Sequence, residues 1–225
     1  MASITHLLDE MAASGILTRT ELAWRARHLA PELSPGKRGK AGTATSRDAA
    51  RLLMAAMTTA PATKLSQAVR RIANTKTWSE VKVPIALAVG RDPITIDLAD
   101  VGSSFEKALI SVIDLRRNPD VHTADKAANI SKIGIREAQG GEWPWIEIRD
   151  FDNKEMHDFA AKWATDARNL RFVFREEDED LGLTYFKSWG QVRETAIDAA
   201  ALYRVSAALG LEWATTNAEG IHHAT

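Results

Sequence analysis

The stretch TSRDAARLLMAAM, residues 45–57, combines a helix start signal with a long apolar run. Thr45 stands at the N-cap position, and Asp48 follows three residues later, where its carboxylate can bond back to the N-cap backbone. This capping box predicts a helix over residues 47–59. The stretch lies in a longer segment without a strand pattern, in which further helices are predicted.

Three further helices are predicted in the same part of the chain. SITHLLDEMAAS carries an apolar stripe and is followed by Gly15, a residue suited to end a helix. TRTE, residues 18–21, is a second capping box, whose helix runs to about Leu29 and ends at Pro31. LSQAVRRIAN predicts a fourth helix from about Thr63. Two helices joined by the short turn GILT have the form of a helix-turn-helix.

Beyond Trp78 the pattern becomes alternating, which predicts β-hairpins. The three hairpin segments are VKVPIALAVGRDPITIDLAD (81–100), KIGIREAQGGEWPWIEIRDF (132–151) and LRFVFREEDEDLGLTYFKSW (170–189). An amphipathic helix is predicted after each, over about residues 103–117, 153–168 and 189–209. We therefore predict the α+β class: an N-terminal helical, helix-turn-helix-like module followed by an antiparallel or mixed sheet module with helices.

Charge divides the chain at the same place. Residues 1–76 hold twelve Lys and Arg side chains against five Asp and Glu, a net charge of +7, whereas residues 77–225 carry −8. Opposite fields indicate modules with different partners, and the basic module favours polyanions. Uneven drift of surface charge is the alternative. The expected domains are a basic DNA-binding module at 1–76, an acidic module at 77–215 for dimerisation or for partner or ligand binding, and a flexible tail at 216–225.

A glycine-rich basic loop, GKRGKAG at residues 36–42, precedes the helix of the opening stretch. A nucleotide-binding P-loop needs a preceding strand and a lysine after its last glycine. Here Thr43 stands where that lysine belongs, and no strand precedes the loop. We therefore expect the loop to follow a nucleic-acid backbone, in the manner of a wing or arm.

The helix at about residues 19–30 is the candidate recognition helix. Its predicted buried stripe contains Leu22, Ala26, Leu29 and Leu33, which leaves a polar and basic face for the major groove. The expected base-contacting residues are Thr20, Arg25, Arg27 and His28. The expected phosphate-contacting residues are Arg19, Lys37, Arg38, Lys40 and Arg47.

The segment from residue 18 to residue 57 resembles the start of a group of uncharacterised proteins encoded by phages and prophages of alphaproteobacteria. The shared features are a glycine/arginine-rich loop and a helix of the form T-x-R-D-A-A-x-L-L-x-A. The matching positions are Arg38, Gly39, Gly42, Thr45, Arg47, Asp48, Ala49, Ala50, Leu52, Leu53 and Ala55. This resemblance implies a phage or prophage setting and a regulatory role, and it transfers no functional residue.

Aromatic side chains supply the candidate interfaces. Trp143 and Trp145 share one face of a predicted strand, and Pro144 between them favours a sheet edge because it cannot donate to a central ladder. This pair fits either a core or a docking surface. Small residues around Tyr203 permit close helix packing, within the domain or across a dimer axis. The expected interface residues are Trp24, Trp143, Trp145 and Tyr203.

Several classes of function are not indicated by the sequence. The chain has no cysteine and no apolar run near the roughly 20 residues that cross a bilayer. We expect no secretory signal, no membrane association and a cytoplasmic location. The histidines form no metal-binding spacing, and the acidic run 176–180 lacks the spacing of a calcium loop. No catalytic residues, metal or cofactor are therefore expected.

These observations lead to one functional expectation and one main alternative. The first is a sequence-specific DNA-binding transcriptional regulator, phage- or prophage-derived, that binds double-stranded DNA as a homodimer. The alternative is a protein–protein adaptor or anti-regulator that acts on a host factor through residues 77–215. A nucleic-acid-processing enzyme ranks third, because catalytic groups need only meet in space.

Overall fold

A computed structural model gives the fold of the greater part of the chain. It describes residues 2–34, 43–77, 84–89, 92–97, 104–117, 130–138, 141–149, 169–175 and 193–210. The described residues form an N-terminal group of helices, an antiparallel sheet and two later helices. The α+β class predicted from the sequence is confirmed.

Six α-helices and one 3-10 turn are described. They are α1 (Ile4–Ala13), α2 (Arg19–His28), a 3-10 turn (Ala30–Glu32), α3 (Ser46–Met57), α4 (Ala62–Asn74), α5 (Phe105–Arg116) and α6 (Ala199–Ala208). Thr18 and Glu21 form the predicted capping box of α2, and Thr45 and Asp48 form that of α3. In the second box, the Thr45 N–H donates to the Asp48 carboxylate at 2.8 Å. Both starts are therefore set by local hydrogen bonds.

Seven strands are described, and every pairing between them is antiparallel. They are β1 (Lys76–Thr77), β2 (Pro84–Val89), β3 (Asp92–Asp97), β4 (Ile130–Ala138), β5 (Gly141–Arg149), β6 (Asn169–Arg175) and β7 (Arg193–Asp198). Five of them form one sheet in the order β1-β6-β5-β4-β7, and β2 pairs with β3 alone. The first two predicted hairpins are therefore confirmed. The second half of the third hairpin and the helix predicted at 153–168 lie outside the described residues.

The helix predicted over 189–209 is wrong in its first part. Residues 193–198 form β7, which pairs with β4 from Lys132 to Glu137. The helix begins only at Ala199, because the side chain of Asp198 accepts a hydrogen bond from the Ala201 N–H at 2.9 Å and caps the first turn. A neighbouring strand thus competes successfully with the helical pattern of this segment.

The edge position predicted from Pro144 is also wrong. Its strand, β5, lies between β4 and β6 in the interior of the sheet. The pairing of β5 with β6 starts at Trp145 and runs to Arg149, so Pro144 stands just outside it. The missing N–H of the proline is therefore not required by the β6 ladder.

One hydrophobic core joins the helices and the sheet. Every residue of α3 except Arg47 is buried, which makes this helix the centre of the fold. The same apolar cluster includes Leu7 of α1, Phe105 of α5 and Leu202 of α6, and on the sheet side Ile133 of β4. The boundary predicted at residue 76 therefore separates segments of unlike charge, while their buried side chains share a single core.

Candidate nucleic-acid interface

The exposed face predicted for α2 is present. Leu22 and Leu29 are buried, while Thr20, Trp24, Arg27 and His28 are exposed. The rings of Trp24 and His28 meet edge to face, with centroids 4.7 Å apart, so the indole and the imidazole form a small aromatic platform on the helix. Three of the four predicted base-contacting residues thus lie together on one helix face.

The fourth predicted base-contacting residue, Arg25, points into the protein. Its Nη1 atom donates to the carbonyl of Thr58 at 3.0 Å and to the carbonyl of Ala55. These carbonyls lie at the C-terminal end of α3, where no intrahelical donor remains for them. Burial lowers the pKa of Arg25. The assignment of Arg25 to base contacts is therefore corrected: it caps α3.

The predicted phosphate contacts divide into three cases. Arg19 forms an ion pair with Asp9 of α1. Arg47 is paired with Glu106 at 3.2 Å, but 60% of its side chain is exposed, so a phosphate can still approach it. The remaining three, Lys37, Arg38 and Lys40, lie outside the described residues.

Two further arginines of residues 1–76 are paired with one carboxylate inside the fold. Glu32, in the turn that follows α2, accepts from Arg51 of α3 at 2.8 Å and also pairs with Arg70 of α4. The hydrogen bond from Arg70 is the main reason that the pKa of Glu32 lies below its ordinary value, and Ser66 and the charge of Arg51 act in the same direction. Arg51 also pairs with Glu106 at 2.6 Å. Part of the positive charge of residues 1–76 is thus neutralised internally.

Two acidic residues of the β4–β5 hairpin, Glu137 and Glu142, bond the α3–α4 connection and α4. Glu137 accepts from the Thr59 N–H and hydroxyl, each at 2.7 Å, and from the Thr58 hydroxyl at 2.9 Å. Glu142, opposite Glu137 in the hairpin, accepts from Arg71 of α4 at 2.7 Å. These contacts attach the α3–α4 connection to the sheet. Sequence reasoning missed Glu32, Glu137 and Glu142, because no local pattern marks a carboxylate whose partners lie in other elements.

The described residues that flank 35–42, the stretch with Lys37, Arg38 and Lys40, are bonded to the helices on both sides. On one side, the Ser34 N–H donates to the carboxylate of Asp48 at 2.7 Å. On the other side, Thr43 forms a β-bridge with Ser3, and the Ala44 N–H donates to the carbonyl of Ala2 at 2.8 Å. The described residues on either side of 35–42 are therefore held beside the end of α2 and the start of α1.

An open groove of about 430 Å³ lies between α1 and α2 and brings these features together. Ile4 and Leu8 line one wall, and small or apolar side chains of α2 and of the following turn line the other. Arg19, Arg27 and Ser34 also line it. Ser34, the described residue before 35–42, thus lies at the groove that borders the exposed face of α2.

The four predicted interface aromatics have different surroundings. Trp24 is 40% exposed and Tyr203 is 60% exposed, so both are available at the surface of the chain. Trp143 is half-buried. Trp145 is only 2% exposed and lies against Gly134 of the neighbouring strand, so its assignment to an interface is corrected to a core position.

The described part of the chain holds no group of three or more His, Cys, Asp or Glu side chains arranged to bind a metal ion. Within the same ranges, none of the helices has the length and apolar character needed to cross a bilayer. Comparison of the chain with protein-family models, with curated proteins and with solved structures gives no match.

Proposed function

We propose that this protein is a sequence-specific DNA-binding transcriptional regulator that inserts α2 into the major groove. The observation that carries the proposal is the exposed α2 face, on which Thr20, Arg27 and His28 lie side by side, with Ser34 lining the adjacent groove. A helix of this kind supplies hydrogen-bond donors for base edges, and an arginine can bond a guanine with both of its terminal nitrogens.

Each group on this surface has a separate role. Arg27 and His28 contact base edges together with Thr20, while Trp24 packs on a sugar or a thymine methyl group. Arg19 and Arg47, with Lys37, Arg38 and Lys40, bind phosphates and set the position of the helix on the duplex. Arg25 has no role in this scheme, since it bonds the end of α3.

Because one short helix specifies few base pairs, the protein binds a two-fold site as a homodimer. We place it in the cytoplasm, in a phage or prophage setting. It needs no cofactor for this activity and is not an enzyme.

Selection from a random duplex library, followed by salt titration, tests the proposal. A regulator enriches a sequence, and its affinity falls steeply as salt rises. Replacing Lys37, Arg38 and Lys40 with Ala should weaken binding to all sequences and lower the salt slope by about 3. Arg27→Ala should instead reduce the preference for the selected site by about tenfold or more. Lys64→Ala, which removes one exposed charge on α4, serves as the control. A library with no enriched sequence at low salt would refute sequence-specific DNA binding by this protein.

A protein–protein adaptor or anti-regulator is the second candidate. Internal pairing of Arg51, Arg70 and Arg71 favours it, because charges already held by Glu32 and Glu142 attract a polyanion less strongly. The exposed rings of Trp24 and Tyr203 suit a protein partner equally well. Binding of a host factor that persists in high salt, together with no selected duplex, is the result that this candidate predicts.

A further inference from the structure

The carboxylate of Glu106 holds two arginines of α3 through one and the same oxygen atom. Its Oε1 atom accepts from the Nε of Arg51 at 2.6 Å and from the Nε of Arg47 at 3.2 Å. Glu106 lies in the first turn of α5, and its side chain is only 15% exposed. Arg51 is buried, whereas Arg47 is the one residue of α3 that is not. A single carboxylate oxygen thus bonds one interior and one surface guanidinium.

The bond to Arg47 is the weaker of the two. Arg51 also donates to the side chain and to the carbonyl of Glu32, so it is fixed from two sides. Arg47 forms no other ion pair or hydrogen bond with any described residue, and most of its side chain is exposed. An exposed ion pair of this kind contributes little to stability. Arg47 can therefore leave Glu106 while Arg51 stays in place.

Glu106 opposes the approach of a phosphate to Arg47. Its negative charge cancels part of the attraction that Arg47 exerts, and it repels the phosphate itself. A phosphate that binds Arg47 releases a counterion from the DNA, but the carboxylate that loses its arginine attracts a cation in return. Arg47 should therefore contribute less to affinity and to its salt dependence than an unpaired arginine would.

We propose that Glu106 lowers the affinity of this protein for polyanions by competing with phosphate for Arg47. The inference rests on the proposed function for the identity of the polyanion, the DNA backbone, which Arg47 contacts in that scheme. Phosphate contacts carry no sequence information. Glu106 therefore weakens binding to all duplexes alike and leaves the preference for the selected site unchanged.

Glu106→Gln in the full-length protein tests the inference on a random-sequence duplex. The amide removes the negative charge and keeps an oxygen that accepts from the Nε of Arg51. We expect about threefold tighter binding at low salt and a salt slope steeper by up to about 1. Glu142→Gln is the matched control, because it removes the carboxylate of another exposed arginine, Arg71, which is not among the proposed DNA contacts. It should change binding by less than about twofold.

Arg47→Gln locates the effect. In the native background it should lower the salt slope by less than about 0.5, and in the Glu106→Gln background by about 0.9. Circular dichroism verifies the fold of each variant. Where Glu106→Gln does not fold, the native background decides alone: a fall of about 0.9 on Arg47→Gln would show that Glu106 does not shield Arg47 and would overturn the inference.

Chromatography on heparin separates this inference from the proposed function, because heparin is a polyanion without base sequence. Glu106→Gln should elute at higher salt than the native protein, and adding Arg47→Gln should return elution to the native position. Elution of Glu106→Gln together with the native protein would overturn the inference. A retained shift on heparin, with no duplex bound by any variant, would instead refute the proposed function alone.

Discussion

The Nη1 atom of Arg51 lies 2.8 Å from the Oε2 atom of Glu32, and each side chain is 10% exposed or less. The same Nη1 atom also donates to the Glu32 carbonyl at 2.6 Å. Arg51 lies in the central helix α3, and Glu32 lies in the turn that ends the α2 region. This pair therefore fixes the position of α2 relative to the core.

Glu32→Gln should destabilise the protein strongly. The amide cannot balance the guanidinium of Arg51, which keeps its pair with Glu106 at 2.6 Å, so we expect the loss of one charged hydrogen bond, about 2 kcal/mol. Urea denaturation of the variant at neutral pH measures the loss in the free energy of unfolding. Arg70→Gln is the matched control, because it removes the other arginine bonded to Glu32. The Arg70 side chain is 62% exposed, so this change should lower the free energy of unfolding much less. Equal stability of Glu32→Gln and the native protein would contradict this role.

The same carboxylate should make stability depend on acid pH. Hydrogen bonding from Arg70 lowers the pKa of Glu32 below the ordinary value of 4.5, so folding favours the ionised form. The resulting stabilisation is present above pH 4.5 and is lost as the pH falls through the lower pKa of the folded state. The difference in unfolding free energy between the native protein and Glu32→Gln should therefore shrink on acidification. A difference that stays constant with pH would exclude Glu32 as the titrating group.

Arg25 and Arg27 should respond in opposite ways to substitution. Arg25→Met removes the donor to the Ala55 and Thr58 carbonyls and should cost about 2 kcal/mol of stability. Its folded form should bind the selected duplex as tightly as the native protein does. Arg27→Met should leave the thermal midpoint unchanged and weaken duplex binding. Thermal unfolding and fluorescence anisotropy measure the two effects, and a duplex defect in folded Arg25→Met would restore that residue to the interface.

Gly134→Ala should disrupt the sheet. A Cβ atom at this position would stand 2.5 Å from Cε2 of Trp145 and 2.8 Å from the Thr195 carbonyl oxygen. Because Trp145 is buried, its ring cannot move away without cost, and we expect a loss of about 2 kcal/mol in unfolding free energy. Combining the change with Trp145→Val removes the ring, so the added cost of the alanine should fall. Strictly additive effects of the two changes would show that the ring is not the obstacle.

The local elements of this fold were predictable from the sequence because their causes are local. The Thr18–Glu21 and Thr45–Asp48 capping boxes act over three residues, and both helices begin where these boxes place them. The exposed face of α2 follows from the helical period in the same way. The first two hairpins were also recognisable, because alternation and turn residues lie in adjacent positions.

The partners of the charged side chains were decided only by the tertiary structure. The sequence determines that residues 1–76 are rich in arginine, but Arg51 meets Glu106 and Arg71 meets Glu142 only when distant segments fold together. Strand β7 likewise exists because β4 lies beside it, although its own residues have a helical pattern. Periodicity indicates which side of a helix or strand faces the core. Whether a charged side chain on that side finds a partner depends on which other elements pack against it. For that reason the composition of the basic face could be derived from the chain, and the loss of Arg25 from it could not.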